Sequence, residues 1–464
     1  MKQKEVDLGR DPVGKLLFTL AVPTITSQIV NMLYNLVDRI YIGHIAPVET
    51  VGQLALTGVG VCLPLIMIVT AFAALLGMGG APRASIQEGR GDVRGAEEIM
   101  GGCFTALLGI SLLLTGLVYF AAEPMLMTFG ADPDTLPYAM NYMRLYCLGT
   151  VFVQVTMGMN AYITAQGFTK ISMRTVLIGA VLNIILDPIF IFAFHMGVRG
   201  AALATILSQA VSALWVLRFL TGSQTKWKLR REFLRPRAKV VLPCAALGLS
   251  PFIMQATESL IIICFNTSLR SYGGTIAVTS MTVLASVMQF ALMPLQGLTQ
   301  GAQPITSFNY GAQNPQRVRE TVRVLLIACV GYSMVLWGLV QCFPQLFVLM
   351  FNNAPELVDY ASRALRIYMG ATGIFGLQIA CQQTFIALGN AKTSLFLAVL
   401  RKIILLLPLI YLMPMFFEDK VFGVFLAEPV ADLLAVCTTV TMFAIQFRRT
   451  MRELEAPEHN PSNS

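Results

Sequence analysis

The sequence predicts an all-α membrane protein: twelve transmembrane helices in two pseudo-symmetric six-helix bundles, a parallel repeat with its axis along the membrane normal. Three observations predict it. First, 56% of the 464 residues are hydrophobic and 12% are charged, with a mean hydropathy of +0.68; globular chains average about 25% charged residues. Second, apolar runs of spanning length recur twelve times. Third, the second half of the chain repeats the first at a fixed offset of 222 residues.

The runs fall at 16–37, 53–79, 99–121, 136–160, 175–194, 200–220, 240–267, 275–300, 322–350, 364–386, 393–416 and 421–446. Each is near the ~20 residues that a bilayer requires of a helix. The first follows an N-terminus that is polar through Lys15 and is itself long enough to span, so no signal peptide is expected. The second ends in Gly77-Met78-Gly79-Gly80, which no strand precedes; it reads as a close helix approach and not a phosphate loop. Between the sixth and seventh runs lies the longest polar stretch, Thr221–Lys239, with seven basic residues and Pro236. It divides the chain into an N-terminal lobe (1–222), a cytoplasmic basic linker (223–239) and a C-terminal lobe (240–464) with a short tail.

Charge sets the orientation. The two termini and the even-numbered gaps hold 24 of the 33 basic residues, from Lys2 and Lys4 through Arg83, Lys170, Arg317 and Lys392 to Arg452. The odd-numbered gaps and adjoining helix ends hold seven, and Arg401 and Lys402 lie mid-span. The positive-inside rule then puts both termini in the cytoplasm. The net charge of +8 is membrane anchoring and gives no reason to expect nucleic acid.

At the offset of 222, Pro82, Ser85, Gly89 and Glu98 fall on Pro304, Ser307, Gly311 and Glu320. Phe129, Pro133, Tyr138, Arg144 and Tyr146 fall on Phe351, Pro355, Tyr360, Arg366 and Tyr368, and Gly167 and Lys170 on Gly389 and Lys392. Six spans per half make both halves enter from the same side. Two such lobes enclose a cleft, an architecture suited to alternating access.

The fifth run carries Asn183 and Asp187 four residues apart, on one helical face, with Pro188 directly after. A carboxylate at membrane depth costs about 2.5–3.5 kcal/mol on insertion scales and is kept where it faces a wet cavity or a partner. The nine cysteines are scattered, without a Cys-x-x-Cys pair, and only three histidines are present, so neither a disulfide framework nor a zinc site is expected. Arg401 and Lys402 face Glu428 and Asp432 of the last run in the expected reading, an internal salt bridge. The 24 methionines and 28 phenylalanines suit a pliable apolar cavity.

Val37-Asp38-Arg39-Ile40-Tyr41-Ile42-Gly43, the Pro82/Ser85/Gly89 loop with its copy, Leu182–Pro188 and Gly197-Val-Arg-Gly-Ala-Ala together resemble the multidrug and toxic compound extrusion (MATE) family, in its MepA-like bacterial branch. The resemblance covers residues 8–450. It implies a transporter of the bacterial cell membrane, multi-pass, exporting lipophilic and cationic small molecules in exchange for Na⁺ or H⁺. By motif, the coupling residues, and a possible Na⁺ site, would be Asp38, Asn183, Asp187 and Thr205. Asn31, Gln154, Met157, Asn160 and Glu258 are candidates for the substrate cavity; Glu258 matches an acid on the seventh helix of some members. A second acid on the tenth helix of another branch has no match here.

Two carboxylates sharing one cavity can hold a shared proton or a hard cation, and Asn183 and Thr205 add the neutral oxygens that hard cations prefer. Pro23 gives the first helix a place to bend. No other cofactor is implied, and a monomer with lipid around it is expected. A flippase for lipid-linked precursors is the alternative function. It would favour a basic cavity, whereas these candidates are acids and amides. Without a Gly-x-x-x-x-Gly-Lys-[Ser/Thr] motif direct ATP drive is disfavoured, and no His/Asp/Cys constellation suggests an enzyme.

Overall fold

The computed structural model describes residues 6–45, 49–351 and 354–455; Lys2, Lys4 and the tail beyond Glu455 lie outside them. The described residues form helices and connecting turns, with no strand. Nine helical stretches among them are long and apolar enough to cross a bilayer, ten with the pair Pro355–Tyr368 and Thr372–Ala387, which is bent by 49°. One of the nine, Ala238–Gly311, is 74 residues long and holds two crossings. It breaks at Gly274, whose φ of +65° and ψ of −155° suit a residue without a Cβ. The helices Leu136–Leu148 and Thr150–Ala165 add the last span, which brings the total to the twelve expected.

Several helices run beyond their apolar cores. Val13–Gly43, Glu49–Gly89 and Val93–Thr128 each outlast the runs at 16–37, 53–79 and 99–121. Hydropathy marks only what sits in hydrocarbon, while backbone hydrogen bonding continues through polar ends. Two expected spans are interrupted. The fourth breaks at Gly149, and the ninth ends at Cys342, with Pro344 starting the separate short helix Pro344–Leu349.

The repeat survives at the level of stereochemistry. Thr150–Ala165 and Thr372–Ala387 are offset by 222 at both ends. Gly91 and Gln313 share positive φ (84° and 54°), as do Gly167 and Gly389 (88° and 76°). Directly after the first pair, Asp92 caps its helix by accepting from the Gly95 N–H at 2.8 Å, and Asn314 does the same for Arg317 at 3.2 Å. A cap satisfies a backbone donor that the first turn leaves unpaired.

The chain forms two compact units. The N-terminal unit comprises Leu20–Ser85 and Asp92–Ser259. Its core has two apolar clusters, one around Cys62, Leu126 and Met143 and one around Met100, Met159 and Val216. Gly79 and Gly248 let the second and seventh spans meet backbone to backbone: a Cβ at Gly248 would stand 1.7 Å from the Leu75 carbonyl oxygen. Part of the basic polar stretch folds back onto this unit. Trp227 is fully buried. The Gln166 Oε1 accepts from the Thr225 hydroxyl and the Lys226 and Trp227 N–H groups at 2.8–3.2 Å. Glu97 accepts from the Lys228 N–H at 2.8 Å and the Arg230 Nε at 2.6 Å.

The C-terminal unit takes in residues up to Thr19, Ile86–Gly91 and the chain from Leu260 on. Its main cluster centres on Phe265, Leu284, Leu365 and Phe425. Arg317 holds the chain start, donating from Nη2 to the carbonyls of Leu8 (3.1 Å) and Asp11 (2.8 Å).

Candidate cation-coupling site

The fifth span positions the first two residues. Thr169–Pro188 is helical, so Asn183 and Asp187 stack one turn apart, at 2% and 0% exposure. Pro188 leads into a π-helical turn, Ile189–Ala193, a local widening that recurs at functional sites. Thr205 comes from the sixth span, Val198–Thr221. The Asn183 Nδ2 donates to the Asp187 Oδ1 and to the Thr205 Oγ1, both at a long 3.4 Å, and the Thr205 hydroxyl donates to the Ala201 carbonyl at 3.0 Å.

Asp38 joins from the first span. Its helix continues to Gly43, so Asp38 lies within the last turns and does not cap a terminus. Its carboxyl lies near that of Asp187. Two facing carboxylates repel unless a proton or a cation stands between them. The oxygens Asp38 Oδ1, Asp187 Oδ2 and Asn183 Oδ1 are buried with no hydrogen-bond partner among the described residues. Three such acceptors beside a neutral hydroxyl form the hard, all-oxygen surrounding that suits Na⁺, and an equally good place for a proton. The four residues expected from the sequence are thus brought together inside one unit.

Three tyrosines complete the surroundings. Tyr34 lies one turn before Asp38 on the same helix, near both carboxyls. Tyr142 lies near Asp38 and Thr205 and stacks on Tyr146 with ring centroids 6.0 Å apart. Sequence reasoning missed them because an aromatic in an apolar run looks like packing. The signal available was Tyr34 at helical spacing from Asp38.

The cavity candidates lie elsewhere. Gln154 is fully buried, its Nε2 donating to the Val69 carbonyl at 2.6 Å while its Oε1 has no partner. Asn160 is half-buried and donates to the Ser172 carbonyl at 3.4 Å. Asn31 is half-buried one turn from Asn35, whose Nδ2 bonds its carbonyl. Met157 is exposed, and Glu258 is half-buried at the first residue of its helix.

The charged residues of the C-terminal unit form a separate cluster. Arg401 donates from Nε to the Asp432 Oδ1 at 2.7 Å and from Nη2 to the Glu428 Oε1 at 3.1 Å. Its guanidinium also lies over the Phe375 ring, 4.4 Å from the centroid. The internal salt bridge expected from the sequence is present, on a π-helical stretch, Leu400–Leu406.

The MatE family model matches residues 23–189 and 251–412. Among curated relatives, a multidrug export protein MepA of Staphylococcus haemolyticus is 23% identical over 91% of this chain and 92% of its own length. That of Staphylococcus aureus is also 23% identical, over 97% and 98%. Among solved structures, a MATE protein in the bent conformation superposes with a TM-score of 0.90 at 21% identity, covering 98% of this chain and 100% of that one. A MOP superfamily transporter from Pyrococcus furiosus gives 0.88 at 21% identity over the same shares.

Proposed function

Since the chain belongs to the MatE family, a family of membrane transporters, we propose that it is a secondary active multidrug efflux transporter. It exchanges inward Na⁺ or H⁺ for outgoing lipophilic organic cations by alternating access and carries out no enzymatic reaction. It works as a monomer in a bacterial cell membrane, with both termini cytoplasmic. The names of its relatives, multidrug export proteins, support the cargo class. The observation that carries the coupling is the Asp38–Asp187 pair with its buried oxygens that have no partner among the described residues.

Asp38 and Asp187 take up the ion; Asn183 and Thr205 orient Asp187 and supply neutral oxygens. Occupation removes the repulsion between the two carboxyls and lets the first and fifth spans close together. Pro23, inside the first helix, lacks a backbone donor and leaves that helix able to bend in response. One positive charge entering at 100 mV supplies about 2.3 kcal/mol. Ethidium efflux in inverted vesicles, with Na⁺ and pH gradients imposed separately, tests the reading. One gradient should drive accumulation; accumulation driven by neither overturns it.

A further inference from the structure

The last helix, Lys420–Glu455, has 36 residues. At 1.5 Å per residue it is about 54 Å long, while the hydrocarbon core is about 30 Å thick. Its final turns therefore stand in the headgroup layer. Two faces of these turns differ. Inward, Phe443 and Met451 are buried in an apolar cluster, with Phe447 packed against it. Outward, Leu434 and Ile445 are 45% and 65% exposed. Arg448, Arg449 and Arg452 follow Ile445 on that side and line one shallow groove with it and Glu453. The spacing 445, 448, 449, 452 keeps them on one helical face.

Arg449 pairs with Glu453 at 2.9 Å. Among the described residues Arg448 and Arg452 have no ion-pair partner. In the other half, two of the seven cations that follow the sixth span are matched within the unit, Arg230 by Glu97 and Arg237 by Glu98. The arginines of the last helix are held outward by the packing behind them, over an apolar strip that faces acyl chains.

We propose that this groove binds an anionic phospholipid of the cytoplasmic leaflet, its phosphate on Arg448 and Arg452 and an acyl chain along Ile445 and Leu434. The guanidinium fork matches phosphate oxygens in two parallel hydrogen bonds. The inference rests on the membrane orientation and not on what the protein carries, so it stands or falls separately from the coupling reading.

The test is native mass spectrometry of the full-length protein from vesicles of phosphatidylglycerol and phosphatidylcholine. Wild type should retain phosphatidylglycerol in preference to phosphatidylcholine. R448Q/R452Q should lose that preference, by about fivefold per arginine, and R237Q should keep it. Equal retention of both lipids by wild type, or unchanged retention in R448Q/R452Q, overturns the proposal. So does displacement of the lipid by millimolar inorganic phosphate, which would mark a plain anion site.

Discussion

The fifth and sixth spans of each half carry a polar cluster, and the two clusters are built oppositely. In the N-terminal unit, Asn183, Asp187 and Thr205 meet Asp38, with three buried acceptors left unpartnered. In the C-terminal unit, the two carboxylates of Glu428 and Asp432 are already met by the Arg401 guanidinium. The positions equivalent to Asn183 and Asp187 are Leu405 and Leu409. One half leaves buried acceptors without a partner among the described residues; the other meets its carboxylates with a cation tethered to the chain. The frame occurs twice, and the two copies balance their buried acids differently.

The comparison can be broken most directly at the carboxylates. Asp38→Asn or Asp187→Asn should lower ethidium efflux to that of cells without the transporter, at unchanged membrane abundance on immunoblots. Wild-type efflux in either variant would remove the distinction between the clusters. Next comes Arg401→Met, which takes the guanidinium away from two buried carboxylates and should cost about 3–5 kcal/mol of stability, read as a large fall in Tm in detergent. Arg401→Met combined with Asp432→Leu keeps the local charge balance and should recover most of that loss. If the double variant melts as low as the single, Arg401 acts by packing on Phe375 and not as a counter-ion.

A smaller effect is expected at Tyr142→Phe. Losing one polar hydroxyl beside Asp38 and Thr205, a change of about 0.5–1.5 kcal/mol, should raise the ion concentration needed for half-maximal efflux about two- to tenfold. The smallest is at the loop before the fourth span. Asp132 Oδ1 accepts from the Thr135 N–H and hydroxyl, both at 2.8 Å, and the equivalent Ala354 offers its helix no side-chain cap. The Thr135 hydroxyl and N–H hold the Asp132 carboxyl below its usual range. A lowered folded-state value stabilises above the unfolded value, about 3.9, and the gain fades as pH falls through the folded one. Asp132→Ala should therefore lower Tm slightly at neutral pH, and the difference from wild type should vanish under strong acid.

Much of this was legible in the chain. Membrane insertion is a matter of composition, and twelve runs with a fixed offset specify the frame without any contact being known. Asn183 and Asp187 stood out because polar groups are expensive in hydrocarbon, while Thr205 came only with the family resemblance. Helical facing was less legible. A membrane helix is apolar all round, so periodicity does not say whether Tyr142 points at a carboxylate or Gln154 at a backbone carbonyl. Breaks such as Gly149 depend on the neighbour: a Cβ there would lie 2.5 Å from Ile206. The seating of Trp227 on Gln166 and of Lys228 on Glu97 joins residues roughly 60 and 130 positions apart, which no local pattern announces.

That seating has a practical consequence for anyone wishing to make the protein from two polypeptides. Division at Gly222 would strip Gln166 and Glu97 of the strands of backbone they hold and expose the indole of Trp227 to water. Division at Arg235–Pro236, where both residues are exposed, leaves the first fragment with its own seal intact, and co-expressed pieces separated there should reassemble far better.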